Sequence, residues 1–377
     1  MKNKIIIFPA SRWQVDLIKF LKKKRYYVYS LDDDDDALGH KYSNKRLDIS
    51  SKNIPKIRKF VKKNKCNVLS CCSDLGLKLI YKINHKKNNY FNKYKQRIIQ
   101  KEKGINTPKF FKSTEFSYKK FLSCNKKVIS KPISGSGSNN VEYLEKFPKI
   151  VKQETIIEEF IYGKEFNVDG YYNNKKIFIY AIMEKKKIKN LKTVSYIMKQ
   201  NYLNAKIVEK INNILKIFFI TSKYPNGPFH AEIIVNKNNN EPYIVETHPR
   251  EAGFDLFYLT CKKITGLNLY QNLLDVRLHD EIPEKNLISK NVYKNFCCRM
   301  IPINKNGKIK KIYFKKINKN KNIKVYLKTF FKKNDNIFNK SNDASRLGFI
   351  QCFSNKNINL EKYSLKLQKM YFKLEFY

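Results

Sequence analysis

Four side chains in the segment 229–255 have the types and spacing needed to bind a metal ion and stabilise phosphoryl transfer. Apolar residues alternate with small or polar ones on both sides of the polar run KNNNE, which predicts an antiparallel hairpin. In this hairpin Glu232 and Glu246 face the same way, and paired carboxylates suit Mg²⁺. His248 and Arg250 follow, and a cation beside a metal ion can hold a polyphosphate. Solvated surface glutamates would produce the same pattern, so the rest of the chain must decide.

The length and composition of the chain narrow its class. A chain of 377 residues can bury a sizeable core and is expected to form two or three domains. It has no run of eighteen apolar residues and no signal peptide, which predicts a cytoplasmic protein without a membrane partner. Its eight cysteines lack the paired spacing of zinc sites, so we expect buried, reduced thiols.

The formal net charge of +46 could indicate a nucleic-acid partner, but its distribution argues against one. Only nine of the 78 basic residues are arginine, and the lysines occur along the whole chain. A binding surface would concentrate basic residues in one segment or on one face. The excess lysine is therefore interpreted as a compositional bias that could also attract anionic substrates.

The first ninety residues have the pattern of a doubly wound α/β domain. Apolar runs at 4–8 and 27–31 flank an amphipathic helix at 14–24, and a further helix, strand and helix follow at 55–64, 67–71 and 73–83. The turn PASRW after the first strand lacks the G-x-G-x-x-G pattern, which argues against dinucleotide binding. The acidic run 32–36 is expected to be a solvated loop.

Two segments in the middle of the chain could bind a nucleotide. Lys131 ends the strand VISK and precedes a Gly/Ser loop, whose N–H and hydroxyl groups could bind a phosphate, although a plain turn has the same composition. The second segment, IIEEFI, ends near Glu165. A strand end can offer backbone groups to adenine, and a following carboxylate can accept from ribose hydroxyls.

The order KP-x-x-GSGS, EEFI-x-G-x-E, a glutamate-bearing strand and VETHPR resembles the ATP-grasp superfamily of the carboxylate–amine ligase type. This resemblance implies a fold of α/β and α+β parts. A Rossmann-like pre-ATP-grasp domain would occupy 1–88, and an ATP-grasp domain of two α+β subdomains would occupy 89–285. A small C-terminal part rich in β-strands, with a helical tail, would occupy 286–377.

The resemblance also implies roles for residues that would contact ATP. Lys95 and Lys131 would contact its phosphates. The flexible loop expected to cover these phosphates contains Ser136, Gly137 and Ser138. The backbone groups expected to contact adenine belong to Glu159 and Ile161, and Glu165 would bind the ribose.

Further roles implied by the resemblance concern metal binding and catalysis. Glu232, Glu246 and His248 would hold Mg²⁺, or Mn²⁺ in its place. Arg250 would contact the γ-phosphate and the acyl phosphate, with Lys131 as the second catalytic residue. The family usually has Asn at the position of His248, so this histidine could instead bind a substrate carboxylate.

The implied reaction is an ATP-dependent ligation of two small molecules. The enzyme would activate a carboxylate as an acyl phosphate and join it to an amine, releasing ADP and phosphate. One alternative is a carboxylase-type enzyme that uses bicarbonate, and another is a catalytically silent, basic nucleic-acid-binding protein. Edge strands and an apolar helix in the first domain would also allow a homodimer.

Overall fold

The computed structural model describes residues 3–85, 90–124, 127–135, 140–148, 154–187, 193–253, 256–280, 282–314, 320–338 and 346–377. The described residues form four β-sheets with helices packed against them. The mixed α/β architecture predicted from the sequence is confirmed. None of the helices in these residues combines the length and the hydrophobicity needed to cross a membrane.

The first domain is built on a parallel sheet in the order β3-β2-β1-β4. Its strands are β1 (Lys4–Ile7), β2 (Tyr27–Ser30), β3 (Lys45–Arg46) and β4 (Cys66–Leu69). The helices are α1 (Val15–Lys23), α2 (Ile54–Asn64) and α3 (Asp74–Ile83). Helix α3 starts directly after Ser73, whose hydroxyl accepts a hydrogen bond from the Gly76 N–H at 3.1 Å. This cap fixes the first turn of α3 and therefore the place of Asp74.

A second, antiparallel sheet follows in the order β5-β8-β6-β7. Helix α4 (Lys93–Glu102) precedes it and begins at Asn92, whose side chain accepts from the Lys95 N–H at 2.9 Å. The sheet and its short helix consist of β5 (Phe110–Lys112), α5 (Tyr118–Leu122), β6 (Val128–Pro132), β7 (Glu142–Leu144) and β8 (Thr155–Glu159).

The largest sheet has eight strands in the order β13-β12-β9-β10-β11-β14-β18-β16. Its first five strands along the chain are β9 (Gly163–Asn173), β10 (Lys176–Lys187), β11 (Thr193–Met198), β12 (Gly227–Asn236) and β13 (Pro242–His248). Helices α6 (Ala205–Thr221), α7 (Lys262–Thr265) and α8 (Leu269–His279) accompany them, and a π-helical turn, Leu256–Cys261, leads into α7.

The C-terminal strands extend this same sheet. They are β14 (Asn295–Pro302), β15 (Gly307–Phe314), β16 (Lys324–Thr329), β17 (Asn336–Ile337), β18 (Arg346–Ser354) and β19 (Phe372–Phe376), with α9 (Leu360–Tyr371) before the last strand. Strands β14, β18 and β16 continue the large sheet, whereas β17, β15 and β19 form a small one. The large sheet therefore contains strands from both sides of position 285, where the sequence predicts a domain boundary.

The two faces of the large sheet have different roles. On β9, Phe166 and Val168 belong to a buried apolar cluster with Phe218 and Phe219 of α6. Side chains alternate along a strand, so Asn167 and Asp169 point to the opposite face. That opposite face carries the ionisable residues of the candidate site.

Candidate active site

The register of β12 and β13 places Glu232 directly opposite Glu246. Each carboxylate has a lysine partner, with Lys185 Nζ 2.8 Å from Glu232 Oε1 and Lys93 Nζ 2.9 Å from Glu246 Oε2. Burial would raise the pKa of both carboxyls, but these lysines and nearby histidines lower them overall. Both glutamates therefore remain ionised at neutral pH, as metal-binding carboxylates must.

A chain of alternating charges leads from Glu246 to the first domain. His248 Nε2 lies 3.2 Å from Glu246 Oε1, and His248 Nδ1 lies 3.2 Å from Asp74 Oδ1. Asp74 also accepts from Arg250, with Nε 2.5 Å from Oδ1 and Nη2 3.0 Å from Oδ2. Both ring nitrogens of His248 thus face carboxylate oxygens. Burial alone would lower the pKa of His248, but the charge of Asp74 outweighs this effect and the pKa is raised.

A second histidine supports Glu232. His230 Nδ1 lies 2.8 Å from Asp169 Oδ1, and its Nε2 lies 3.8 Å from Glu232 Oε1. Burial alone would lower the pKa of His230, but Asp169 and Glu232 raise it to about 9. The imidazolium is therefore an additional cation next to Glu232 at neutral pH.

A cavity of about 330 Å³ lies between the second sheet and the large sheet. Its floor includes the paired carboxylates Glu232 and Glu246, and its rim includes the end of β8 and the start of β9. The described residues that line it all fall between positions 93 and 246. Clefts of this size and mixed polarity are typical small-molecule sites.

Lys131 is held inside this cavity by a buried ion-pair network. Its Nζ lies 2.5 Å from Glu158 Oε2, and Arg97 Nε lies 2.6 Å from Glu158 Oε1. Arg97 is fixed in turn by bonds of 2.8 Å to the carbonyl oxygens of Ile244 and Val245 on β13. Burial lowers the pKa of Lys131 more than Glu158 raises it. The network joins α4, β6, β8 and β13 around one lysine.

Glu165, at the rim of the cavity, pairs with two lysines. Lys185 Nζ lies 2.5 Å from Glu165 Oε1, and Lys187 pairs with the other oxygen. Lys185 also contacts Glu232. Its ammonium group therefore lies between Glu165, which is predicted to bind ribose, and Glu232, which is predicted to bind the metal ion. Because Lys185 is buried between two carboxylates, its pKa is raised despite its desolvation.

The structure separates the two lysines of α4 near the cavity. Lys95, predicted to contact phosphates, is exposed and is not among the described residues that line the cavity. Lys93 lines it, pairs with Glu246 and donates to the Gly135 carbonyl at 2.7 Å. Among the described residues, Lys93 therefore lines the cavity and Lys95 does not.

The remaining residues predicted to contact the nucleotide fall into two groups. Glu159, Ile161 and Glu165 line the cavity. The Glu159 N–H donates to the Lys109 carbonyl at 2.8 Å, so this N–H is engaged within the protein. The loop residues Ser136, Gly137 and Ser138 lie outside the described residues, although the adjacent Gly135 lines the cavity.

Sequence reasoning missed several described residues of this site, among them Asp74, Lys93, Arg97, Glu158, Asp169, Lys185 and His230. A signal existed for Lys93, because Asn92 is a good N-cap residue, which predicts that the helix begins at Lys93. Lys185 lies in the run EKKK, where nothing distinguishes it from its neighbours. The interactions of Asp74 depend on a contact across 176 positions of sequence.

The donor set fits a hard divalent cation that also binds substrate phosphates. Glu232 and Glu246 supply carboxylate oxygens at one place, as Mg²⁺ sites in phosphoryl-transfer enzymes do. In the described parts of the chain, no group of three or more His, Cys, Asp or Glu side chains is arranged to hold a metal ion. Two carboxylates would leave the other coordination positions to water and phosphate oxygens.

A family model for the ATP-grasp domain matches residues 137–256, which include Glu165, Glu232, Glu246 and Arg250. This segment, about a third of the chain, is therefore similar to an ATP-grasp domain. The resemblance inferred from the order of its motifs is thereby confirmed. No curated protein sequence matches this chain.

Solved structures with the same fold cover almost the whole chain. The chain is 18% identical to phosphoribosylglycinamide synthetase from Anaerococcus prevotii, with a TM-score of 0.78 and 100% of both chains covered. It is 17% identical to L-amino acid ligase from Bacillus licheniformis, with a TM-score of 0.78 and coverage of 100% and 99%. Biotin carboxylase from Campylobacter jejuni is 14% identical, with a TM-score of 0.71 and coverage of 99% and 92%. At these identities the similarity shows the fold.

Proposed function

We propose that this chain is an ATP-dependent ligase that joins a small-molecule carboxylate to an amine. One observation carries this proposal: a nucleotide-sized cavity adjoins the facing carboxylates Glu232 and Glu246, and Glu246 is linked through His248 and Asp74 to Arg250. Such a site can bring two anions together, because cations on both sides offset their repulsion. The fold shared with an L-amino acid ligase supports the same reaction class.

The lining of the cavity supports a complete set of contacts to ATP. Lys93 and Lys131 would bind its phosphates, with Lys93 in the role that the sequence suggests for Lys95. The chain segment between Glu159 and Ile161 would meet adenine, and Glu165 would accept from ribose hydroxyls. We also assign Lys185 to the phosphates, since its ammonium lies between Glu165 and Glu232.

The first chemical step would be phosphorylation of the carboxylate. A carboxylate oxygen of the acid attacks the γ-phosphorus, the bond from that phosphorus to the ADP oxygen breaks, and ADP leaves with the electron pair. Mg²⁺ held by Glu232 and Glu246 would neutralise charge on the phosphates. Arg250 would stabilise the charge on the transferring phosphoryl group, and Lys131 would hold the nucleotide in line.

The second step would form the amide. The lone pair of the amine attacks the acyl carbon, the carbon–oxygen bond to phosphate breaks, and the amine loses a proton to solvent or to the departing phosphate. The protein needs no covalent nucleophile of its own for either step. Its work is to position the reactants and keep water away from the acyl phosphate.

A bicarbonate-dependent reaction is a second candidate, favoured by the fold shared with biotin carboxylase. In that case bicarbonate would take the place of the organic acid in the first step, and the amine would be carboxylated. The two candidates differ in the identity of the acid alone. A substrate panel can therefore separate them.

The test measures ADP and phosphate released from ATP and Mg²⁺ with a panel of carboxylic acids, bicarbonate and amines, and records product masses. Release that needs one organic acid and one amine, with an amide product, supports the ligase. Release that needs bicarbonate, with a carboxylated product, supports the second candidate. If ATP neither binds nor turns over with any pair, the proposed function is wrong.

A further inference from the structure

Asp74 belongs to the first domain but interacts with two residues of the ATP-grasp domain. It lies in the first turn of α3, after the Ser73 cap. Its carboxylate accepts from Arg250 at 2.5 and 3.0 Å and lies 3.2 Å from His248 Nδ1. Among the described residues, these contacts connect the first domain directly to the proposed phosphoryl-transfer residues.

The contact with Arg250 has the geometry that fixes a guanidinium group in one orientation. Two nitrogens of Arg250 donate to the two oxygens of Asp74, and Nη1 donates to the Glu251 carbonyl at 2.8 Å. A bidentate pair with a carboxylate constrains both the position and the plane of an arginine. Arg250 is also 9% exposed, so little solvent competes for its donors.

The contact with His248 extends the same influence to the predicted metal ligands. His248 joins Asp74 on one ring nitrogen to Glu246 on the other, with 3.2 Å at each end. The Asp74 carboxylate therefore sets the ring orientation of His248, and the ring in turn limits where the Glu246 carboxylate can turn. Moving Asp74 would disturb both Arg250 and Glu246.

We propose that Asp74 is a positioning residue for phosphoryl transfer, through which packing of the first domain completes the active site. This inference rests on the proposed ligase function. Asp74 would touch neither ATP nor the acid, and it would act by holding Arg250 and His248. Asp74 is not among the described residues that line the nucleotide cavity, so it would affect ATP binding only through Glu246.

The chain offers a matched control for a purely local effect. Asp16 lies in the first turn of α1, as Asp74 lies in the first turn of α3. Each carboxylate stabilises the N-terminus of its helix by interacting with the helix dipole. Asp16 is exposed and lies far from Arg250 in sequence. Asp16→Asn therefore removes the same helix interaction and leaves the candidate site intact.

The test compares Asp74→Asn, Asp74→Glu and Asp16→Asn in the full chain. Misplacement of catalytic groups by about an ångström can cost about a hundredfold, so we expect kcat of Asp74→Asn to fall by roughly that factor. The KM for ATP should change less than kcat, Asp74→Glu should recover part of kcat, and Asp16→Asn should behave as wild type. An unchanged kcat in Asp74→Asn, or equal losses in Asp74→Asn and Asp16→Asn, would overturn the proposal.

A second readout does not depend on turnover. Phenylglyoxal modifies accessible arginines, and mass spectrometry can follow its rate at Arg250. We expect modification to be about tenfold faster in Asp74→Asn than in wild type, because one tenfold step corresponds to about 1.4 kcal/mol, close to a charge-assisted hydrogen bond. Equal rates overturn the positioning role whether or not any substrate pair supports turnover.

The two readouts also separate this inference from the proposed function. A wild-type protein that never releases ADP refutes the ligase, while the modification rates still decide whether Asp74 holds Arg250. If Asp74→Asn fails to fold, Asp74→Ser removes the carboxylate with a smaller side chain. A folded Asp74→Ser with wild-type kcat and wild-type modification of Arg250 would overturn the inference.

Discussion

The two sides of the paired carboxylates differ in how much space they leave. On the nucleotide side, which comprises Lys93, Lys131, Glu158, Glu165 and Lys185, a cavity of about 330 Å³ is already formed. On the first-domain side, which comprises Asp74, His230, His248 and Arg250, the charges pair with one another. The cavity next to Asp74 and His248 measures about 40 Å³.

This difference suggests that the two sides are prepared in different ways. The nucleotide side has its ion pairs arranged around open space, so ATP could enter by displacing lysine–glutamate contacts. The first-domain side has room for only a few water molecules, since one water needs about 10–15 Å³ of such a cavity. Binding of the acid would therefore require side chains of the first-domain side to move.

The strongest test of the shared carboxylates is Glu246→Gln. We expect turnover to fall by about a thousandfold, since the change removes a metal-binding charge and one end of the chain to Asp74. ADP release with the productive substrate pair measures the effect. Glu241→Gln is the control, because Glu241 belongs to the same hairpin but pairs with Lys210 at a half-buried position. Normal turnover in Glu246→Gln would contradict the metal assignment on which both sides depend.

The next test concerns which lysine of α4 serves the nucleotide side. Lys93→Ala should raise the dissociation constant for ATP about tenfold or more, because one charge-assisted contact to phosphate is lost. Lys95→Ala should leave it close to wild type, since Lys95 is exposed outside the cavity. Titration of each variant with ATP in the absence of the acid measures this. The reverse result would restore the assignment made from the sequence.

Lys131→Ala tests the network beneath the phosphates. We expect ATP affinity to fall about tenfold. Thermal stability should decrease only slightly, because Arg97 still pairs with Glu158 in the variant. Glu158→Gln is the companion variant, since it keeps Lys131 but removes the charge that both cations share. Unchanged affinity in Lys131→Ala would remove this lysine from the phosphate site.

The parts of this site that are local in sequence could be predicted. The hairpin carrying Glu232 and Glu246 follows from alternation on either side of a polar turn, and the observed register places the two residues opposite each other. The elements of the first domain were predicted within a few residues because apolar periodicity and the Ser73 cap are short-range signals. The C-terminal strands were also expected as β-structure.

The remaining parts depend on which way a side chain points and on distant contacts. Lys93 and Lys95 lie two positions apart on a helix, so they point to different sides, and only packing against β13 selects Lys93. Lys185 is one of several consecutive lysines, and only the pairing of β9, β10 and β12 brings it to Glu165 and Glu232. The same applies to Asp74 and Arg250, which the packing of the two domains brings together.

The smallest effect that we predict is a pH dependence of the free energy of unfolding that arises on the first-domain side. Asp169 raises the pKa of buried His230 from about 6.5 in a model peptide to about 9. A raised pKa stabilises the fold fully below pH 6.5, and this contribution is lost as the pH rises from 6.5 to 9. Urea unfolding without nucleotide should therefore show a free energy of unfolding lower at pH 9 than at pH 6, by on the order of 2 kcal/mol. Asp169→Asn should reduce this dependence, and His85→Gln, which changes a histidine outside the site, should not. The pKa of His248 is also raised, so part of the dependence should remain in Asp169→Asn. A dependence of unchanged size in that variant would contradict the role of His230.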